Sequence, residues 1–142
     1  MTWFSSRTTV VPVDFSEASL RAVDVARDLV DDARQLQIVH VLPSITAAEP
    51  GLLWNVLDEA TARDQAYAEL EKRFTDARFA GANLVVAFGS AADEIVELAR
   101  AAKAELIVMP SHGRTGLARL MIGSVAELVT RSAPCPVLIL RD

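Results

Sequence analysis

Residues 106–124 read LIVMPSHGRTGLARLMIGS. The stretch opens on a continuous apolar run, Leu106-Ile107-Val108-Met109. It crosses a loop carrying Gly113, Gly116 and Gly123, and reaches Ser124, where the pattern turns helical. A short, β-branched run that does not alternate fits a strand buried on both faces, as in a parallel sheet covered by helices. A strand, a glycine-rich loop and a helix start therefore follow one another directly.

The same kind of run recurs on either side: Thr9–Val13, Gln37–Leu42, Leu84–Phe88 and Pro136–Leu140. Helical patterns lie between them. Ser16 is a good N-cap for the first helix, whose apolar stripe is Ala22, Val23, Ala26, Leu29, Val30 and Ala33. The second is expected over Asn55–Ala80, with Val56, Ala60, Tyr67, Leu70 and Phe74 on its inward face and Gly81 ending it. The third runs over Ala91–Lys103, and the fourth starts at Ser124 and stops before Pro134. Pro43–Leu53, with Pro43, Pro50 and Gly51, reads as a loop. The order is β-α-β-α-β-α-β-α-β, and each crossover is long enough for a right-handed parallel connection. The expectation is one doubly wound α/β domain over residues 1–142. Its five-stranded parallel sheet has order 3-2-1-4-5, with helices on both faces.

Composition narrows the function. The 142 residues are 51% hydrophobic and 23% charged, an ordinary globular balance. A net charge of −5 argues against a nucleic-acid or anionic-lipid partner. One cysteine excludes an intrachain disulfide, and two histidines leave little for a metal centre. No apolar run approaches the ~20 residues of a membrane span. The start, MTWFSSRTT, has no apolar core of a signal peptide, so a cytoplasmic location is expected. The only lysines, Lys72 and Lys103, follow no glycine-rich loop, so a Walker A P-loop is absent.

In doubly wound sheets ligands sit at the carboxyl ends of the strands, where strand order reverses. The loops concerned are Asp14-Phe15-Ser16 and Pro110–Gly123. Glycines permit close backbone approach, Gly123-Ser124 offers helix N-terminal N–H groups, and Arg114 and Arg119 add positive charge. This reads as a phosphate cradle without a Walker lysine.

At these residues the chain resembles the universal stress protein family. Nucleotide-binding members carry Gly-x2-Gly-x9-Gly-Ser/Thr after strand four. Here Gly113, the nine residues Arg114–Ile122, and Gly123-Ser124 keep that register. Pro12-Val13-Asp14-Phe15-Ser16, His40-Val41 and Ala133-Pro134-Cys135-Pro136-Val137 extend the likeness along the whole chain. The resemblance implies an ATP or other adenine-nucleotide site. Pro12, Val13 and Asp14 would line the adenosine, Val41 would pack on the adenine, and Met109 and Pro110 would lie beside the ribose. Gly113, Gly123, Ser124 and Val125 would hold phosphates, with Mg²⁺ as an optional companion; charge and position add Arg114. One position departs: the first motif glycine is Pro110, which has no N–H to donate. Losing one neutral hydrogen bond costs about 0.5–1.5 kcal/mol, up to roughly tenfold in affinity.

Each residue also has a structural alternative. Asp14 could cap the first helix with Ser16. Ser124 and Glu127 form a Ser-x-x-Glu capping box, which phosphate binding would contest. His112 has no nucleophile–orienter pair in readable spacing, so a loop-anchoring hydrogen bond is expected. Cys135, without a second cysteine, reads as a structural thiol, and Trp3 is left open between an end and an interface. A receiver domain shares the gross fold but needs an acidic cluster after strand one, an Asp after strand three and a Lys after strand five. None is present. The main expectation is an ATP-binding regulatory module, homodimeric through the strand-five run Val137-Leu138-Ile139-Leu140, as is common in the family. A nucleotide-free dimeric scaffold and a slow ATPase are the alternatives; no general base is evident.

Overall fold

The computed structural model describes residues 7–44, 52–112 and 122–141, with the backbone alone over 52–57. The strands are β1 (Thr9–Pro12), β2 (Leu36–Leu42), β3 (Asn83–Phe88), β4 (Leu106–Pro110) and β5 (Val137–Leu140). The α-helices are α1 (Glu17–Leu29), α2 (Leu52–Arg73), α3 (Ala91–Ala101) and α4 (Ser124–Ser132). All pairings are parallel, and the sheet order is β3-β2-β1-β4-β5, as expected.

Strand alternation divides the core in two. Val11, Ile38, Leu106 and Val108 point to the face covered by α1 and α2, against Val23, Ala26 and Leu70. Val10, Val39, Ile107 and Met109 point to the other face, against Ile95, Val96, Ala126 and Val129 of α3 and α4. Burial on both faces explains why the strand runs are continuous rather than alternating.

Helix ends differ from the sequence expectation where a polar residue recaps the chain. Helix α1 stops at Leu29, and Ala33 belongs to a separate 3₁₀ turn, Ala33–Gln35, capped by Asp32. Helix α2 stops at Arg73; Asp76 caps a second 3₁₀ turn, Ala77–Phe79, before Gly81 (φ 93°) turns the chain into β3. Leu52 and Leu53, expected in the loop, are already helical. Lys103 (φ 52°) lies beyond α3 rather than inside it.

The face of α2 is also corrected. Ala60 and Tyr67 are exposed, whereas Ala66 and Leu70 are buried and Phe74 half-buried, edge-on to Phe79 at 5.2 Å. Ala62, Ala66, Leu70 and Phe74 follow one i,i+4 row. Helix α2 lies over the edge strand β3, so a narrow row suffices and the flank with Tyr67 meets water.

Candidate functional site

The sheet forks where strand order reverses. β1 pairs with β2 as far as Pro12↔Val39, and β4 with β5 as far as Pro110↔Leu140. β1 and β4 pair only through Thr9↔Leu106 and Val10↔Ile107. Beyond Val10 the two central strands part. The Val13 N–H donates to Val39 O (2.8 Å) and the Ser111 N–H to Leu140 O (2.9 Å), both away from the fork. Backbone groups alternate sides along a parallel strand. The nitrogens of Pro12 and Pro110 therefore face the gap, one from each lip. Neither proline forfeits a ladder bond there, which is why the strands tolerate them. The lips consequently offer carbonyl acceptors and no N–H donors at these two positions.

On the β1 side the chain turns sharply into α1. Phe15 takes φ 66°, a left-handed conformation strained for a bulky side chain. Its ring is held against His40, centroids 4.7 Å apart, with the Arg73 guanidinium 5.4 Å above it. The His40 Nδ1–H donates to Val13 O at 2.7 Å, since a carbonyl can only accept. The Asp14 carboxylate accepts the Ser16 N–H at 2.9 Å, and Ser16 Oγ caps α1 by accepting the Ser19 N–H at 3.2 Å. Asp14 thus braces the turn and also borders the cavity described next, while the cap of α1 is Ser16.

On the β4 side Gly123 joins the loop to α4. Its N–H donates to Ser111 O at 2.7 Å, and a Cβ placed on it would stand 2.9 Å from that same oxygen. Only glycine fits this approach without displacing backbone. Gly123 itself is the N-cap, with no side-chain cap bond. The Ser124–Glu127 capping box is therefore not formed: Ser124 is the first helical residue, and Glu127 pairs with Arg131 at 2.7 Å. The Gly123 N–H is already committed to Ser111. The first-turn N–H groups of Ser124, Val125 and Ala126 have no intrahelical acceptor.

Between these two sides lies a cavity of about 280 Å³. Its walls include Pro12, Val13, Asp14, Val41, Met109, Pro110, Gly123, Ser124 and Val125. These are nine of the eleven residues singled out from sequence; Gly113 and Arg114 lie outside the described residues. The cavity also takes in Ser19, Val39, Ala91, Ile95, Ser111, His112 and Ala126. Val39 could have been found from Val41 by the two-residue period of a strand. Ala91 and Ile95 are one helical turn apart on α3, but only the packing shows that this turn reaches the fork. His112 Nδ1 lies 3.2 Å from the Oγ of its neighbour Ser111, a local contact within the end of β4 and the start of the loop. Cys135 is half-buried, and desolvation pushes its thiol pKa up, in keeping with a structural thiol. Among the described residues there is no group of three or more His, Cys, Asp or Glu able to hold a metal ion. Nor is any helix among them long and apolar enough to cross a membrane.

The universal stress protein family model matches residues 6–141. The chain belongs to the universal stress protein family. It is 33% identical over 137 residues to universal stress protein MJ0531 of Methanocaldococcus jannaschii, covering 93% of this chain and 80% of that protein. It is 29% identical to universal stress protein YxiE of Bacillus subtilis, covering 93% and 97%. Among solved structures, UspA of Lactobacillus plantarum superposes with a TM-score of 0.70 at 25% identity, over 96% of this chain and 99% of that one. A universal stress protein solved in complex with cAMP superposes with a TM-score of 0.65 at 31% identity, over 95% and 97%. The α/β architecture of this family member is thus shared with solved relatives over about 95% of the chain.

Proposed function

We propose that this universal stress protein binds an adenine nucleotide in the forked cavity and acts as a nucleotide-dependent regulatory module. The observation that carries the proposal is the polarity of the cavity. Val13, Val39, Val41 and Met109 form apolar walls suited to a flat base. Carbonyls and the Asp14 carboxylate at the fork accept hydrogen bonds, as a ribose or an exocyclic amine would donate them. At the opposite side the first turn of α4 supplies N–H donors without an intrahelical acceptor and the positive end of a helix dipole, which suit phosphate. A base, a sugar and a phosphate can each meet the chemistry they require. The cAMP complex of a relative supports the nucleotide class; the likeness of the glycine motif to that of nucleotide-binding family members favours ATP. Mg²⁺, where present, would ride on the phosphates.

Pro110 removes one donor at the fork, and Pro12 already lacks the facing one, so affinity rests on the α4 end and the apolar walls. Thermal unfolding with added Mg-ATP or cAMP tests the proposal. At about 100 times Kd the ligand adds about 2.7 kcal/mol, a rise in Tm of roughly 8 °C. A Tm unmoved by either nucleotide, with none released from freshly purified, denatured protein, returns the nucleotide-free scaffold as the better reading.

We further propose that the module is a homodimer through β5. This edge strand leaves one side of its ladder unpaired, and Leu138 is 38% exposed. Leu128 of the neighbouring α4 is 51% exposed, so the apolar surface does not end at the strand. Light scattering at micromolar concentration should report twice the chain mass, and a Leu138→Glu variant should return one. A wild-type monomer would sink the proposal.

A further inference from the structure

We infer that the free edge of β3, with the flank of α2 beside it, is a docking groove for an extended basic segment of a partner protein, which adds to the sheet as a further strand. The inference stands apart from the nucleotide-binding reading. β3 pairs with β2 along its whole length, from Gln37↔Asn83 to Leu42↔Phe88, and it ends the sheet. The Gly89 N–H donates to Leu42 O at 2.9 Å, which fixes the phase of the ladder. Backbone groups alternate sides along a parallel strand, so Asn83, Val85 and Ala87 turn theirs toward β2. Leu84, Val86 and Phe88 turn their N–H and C=O groups outward, where no strand pairs with them among the described residues. Edge strands are commonly guarded by proline, lysine or an inward-pointing charge. The sequence of β3, Asn-Leu-Val-Val-Ala-Phe, has none of these. Such an edge beside a helix is the setting in which extended peptides add to a sheet.

The helical wall says which segment fits. Arg63, Asp64 and Tyr67 of α2 and Val86 of β3 line an open hollow of about 500 Å³. Tyr67 is exposed, and the Arg63 guanidinium sits 5.1 Å above the Phe88 ring. Asp64, Tyr67 and Glu71 follow helical spacing and share one stripe of α2. Neither the Asp64 nor the Glu71 carboxylate has an ion-pair partner among the described residues. At the carboxyl end of β3 the Glu94 side chain reaches Gly89, where a Cβ would stand 2.7 Å from Glu94 Oε1. Three carboxylates thus border the edge against one guanidinium, and that one is turned to Phe88. An added strand presents a side chain to the hollow. A lysine or arginine there lays its methylene stem on Tyr67 and Val86 and brings its charged head to Asp64. Pairing β3 with β3 of a second copy would instead set the same carboxylates against each other, and like charges across a strand pair repel. The net charge of −5 adds to that repulsion, so the occupant is a basic segment rather than another copy.

Hydrogen exchange and NMR titration with a capped hexapeptide of alternating valine and lysine test this on the whole chain. In the free protein the Leu84, Val86 and Phe88 amides should exchange fast, while Val85 and Ala87 are protected. Saturating peptide should slow the first three about tenfold or more and leave the other two unchanged. Glutamate in place of the lysines should weaken binding about tenfold or more, and so should N-methylation of alternate peptide nitrogens. Tyr67→Ala and Asp64→Lys, both at exposed positions, should each weaken the lysine peptide about 3- to 10-fold. Protection of the three outward amides in dilute free protein would show the edge already covered and overturn the inference. Protection that grows with protein concentration alone would make a second copy the occupant and overturn it as well. So would equal binding of the glutamate or N-methylated peptide, or no binding of the lysine peptide at millimolar concentration.

Discussion

A Gly123→Val chain is expected to lose nucleotide binding and part of its stability at once. The Cβ meets Ser111 O at 2.9 Å, and that oxygen is backbone at the end of β4. Ser111 cannot retreat easily, because its N–H is tied to Leu140 O across to β5. The start of α4 must move instead. The Gly123 N–H bond to Ser111 is then lost, and the first-turn N–H groups swing away from the cavity. Overpacking of this kind costs about 1–3 kcal/mol, or roughly 3–10 °C in Tm. Withdrawing two or more charge-assisted hydrogen bonds weakens a nucleotide about 100-fold or more. Thermal unfolding and calorimetry read the two effects separately. Far-UV circular dichroism should stay near wild type, since the sheet and the α1–α2 core lie elsewhere. An unshifted Tm would show that the approach of Gly123 to Ser111 is not close.

The second large effect belongs to α2. Leu70→Ala is expected to lower stability by about 2–5 kcal/mol, because Leu70 is fully buried in the α1–α2 core and its removal leaves a cavity. Tyr67→Ala, on the exposed flank at 42% exposure, should change stability by no more than about 0.5 kcal/mol. Chemical denaturation of the two variants at matched m-value decides the matter. The opposite ranking would restore the face that hydrophobic periodicity alone selected.

That face shows where sequence reading failed and why. Periodicity places Val56, Ala60, Tyr67, Leu70 and Phe74 together, and the large residues dominate the pattern. Packing over an edge strand needs only a narrow row, and alanines fill part of it, as Ala62 and Ala66 do. Small buried residues carry little periodic signal. The capping-box expectation failed for a related reason. Ser-x-x-Glu is a local pattern, but the contact between Gly123 and Ser111 makes glycine the cap and leaves Ser124 one step inside the helix.

Much of the rest was legible. Continuous apolar runs are the signature of strands buried on both faces, so strand count, strand type and helix alternation followed from the chain alone. The glycine spacing after β4 marked the loop, and the family resemblance marked Pro12, Val13, Asp14 and Val41, which the structure brings to one cavity with Met109 and Pro110. Two features depended on distant partners. The harmlessness of Pro12 and Pro110 to the sheet follows from which way their neighbours' N–H groups point. The lack of a partner for His112 Nε2 among the described residues follows from its burial beside α4. By itself the sequence determined the layered architecture, because apolar periodicity is a local property summed along the chain. The tertiary structure decided which polar groups are left unpaired at the fork, because a hydrogen bond is satisfied or orphaned only by what the fold sets opposite it.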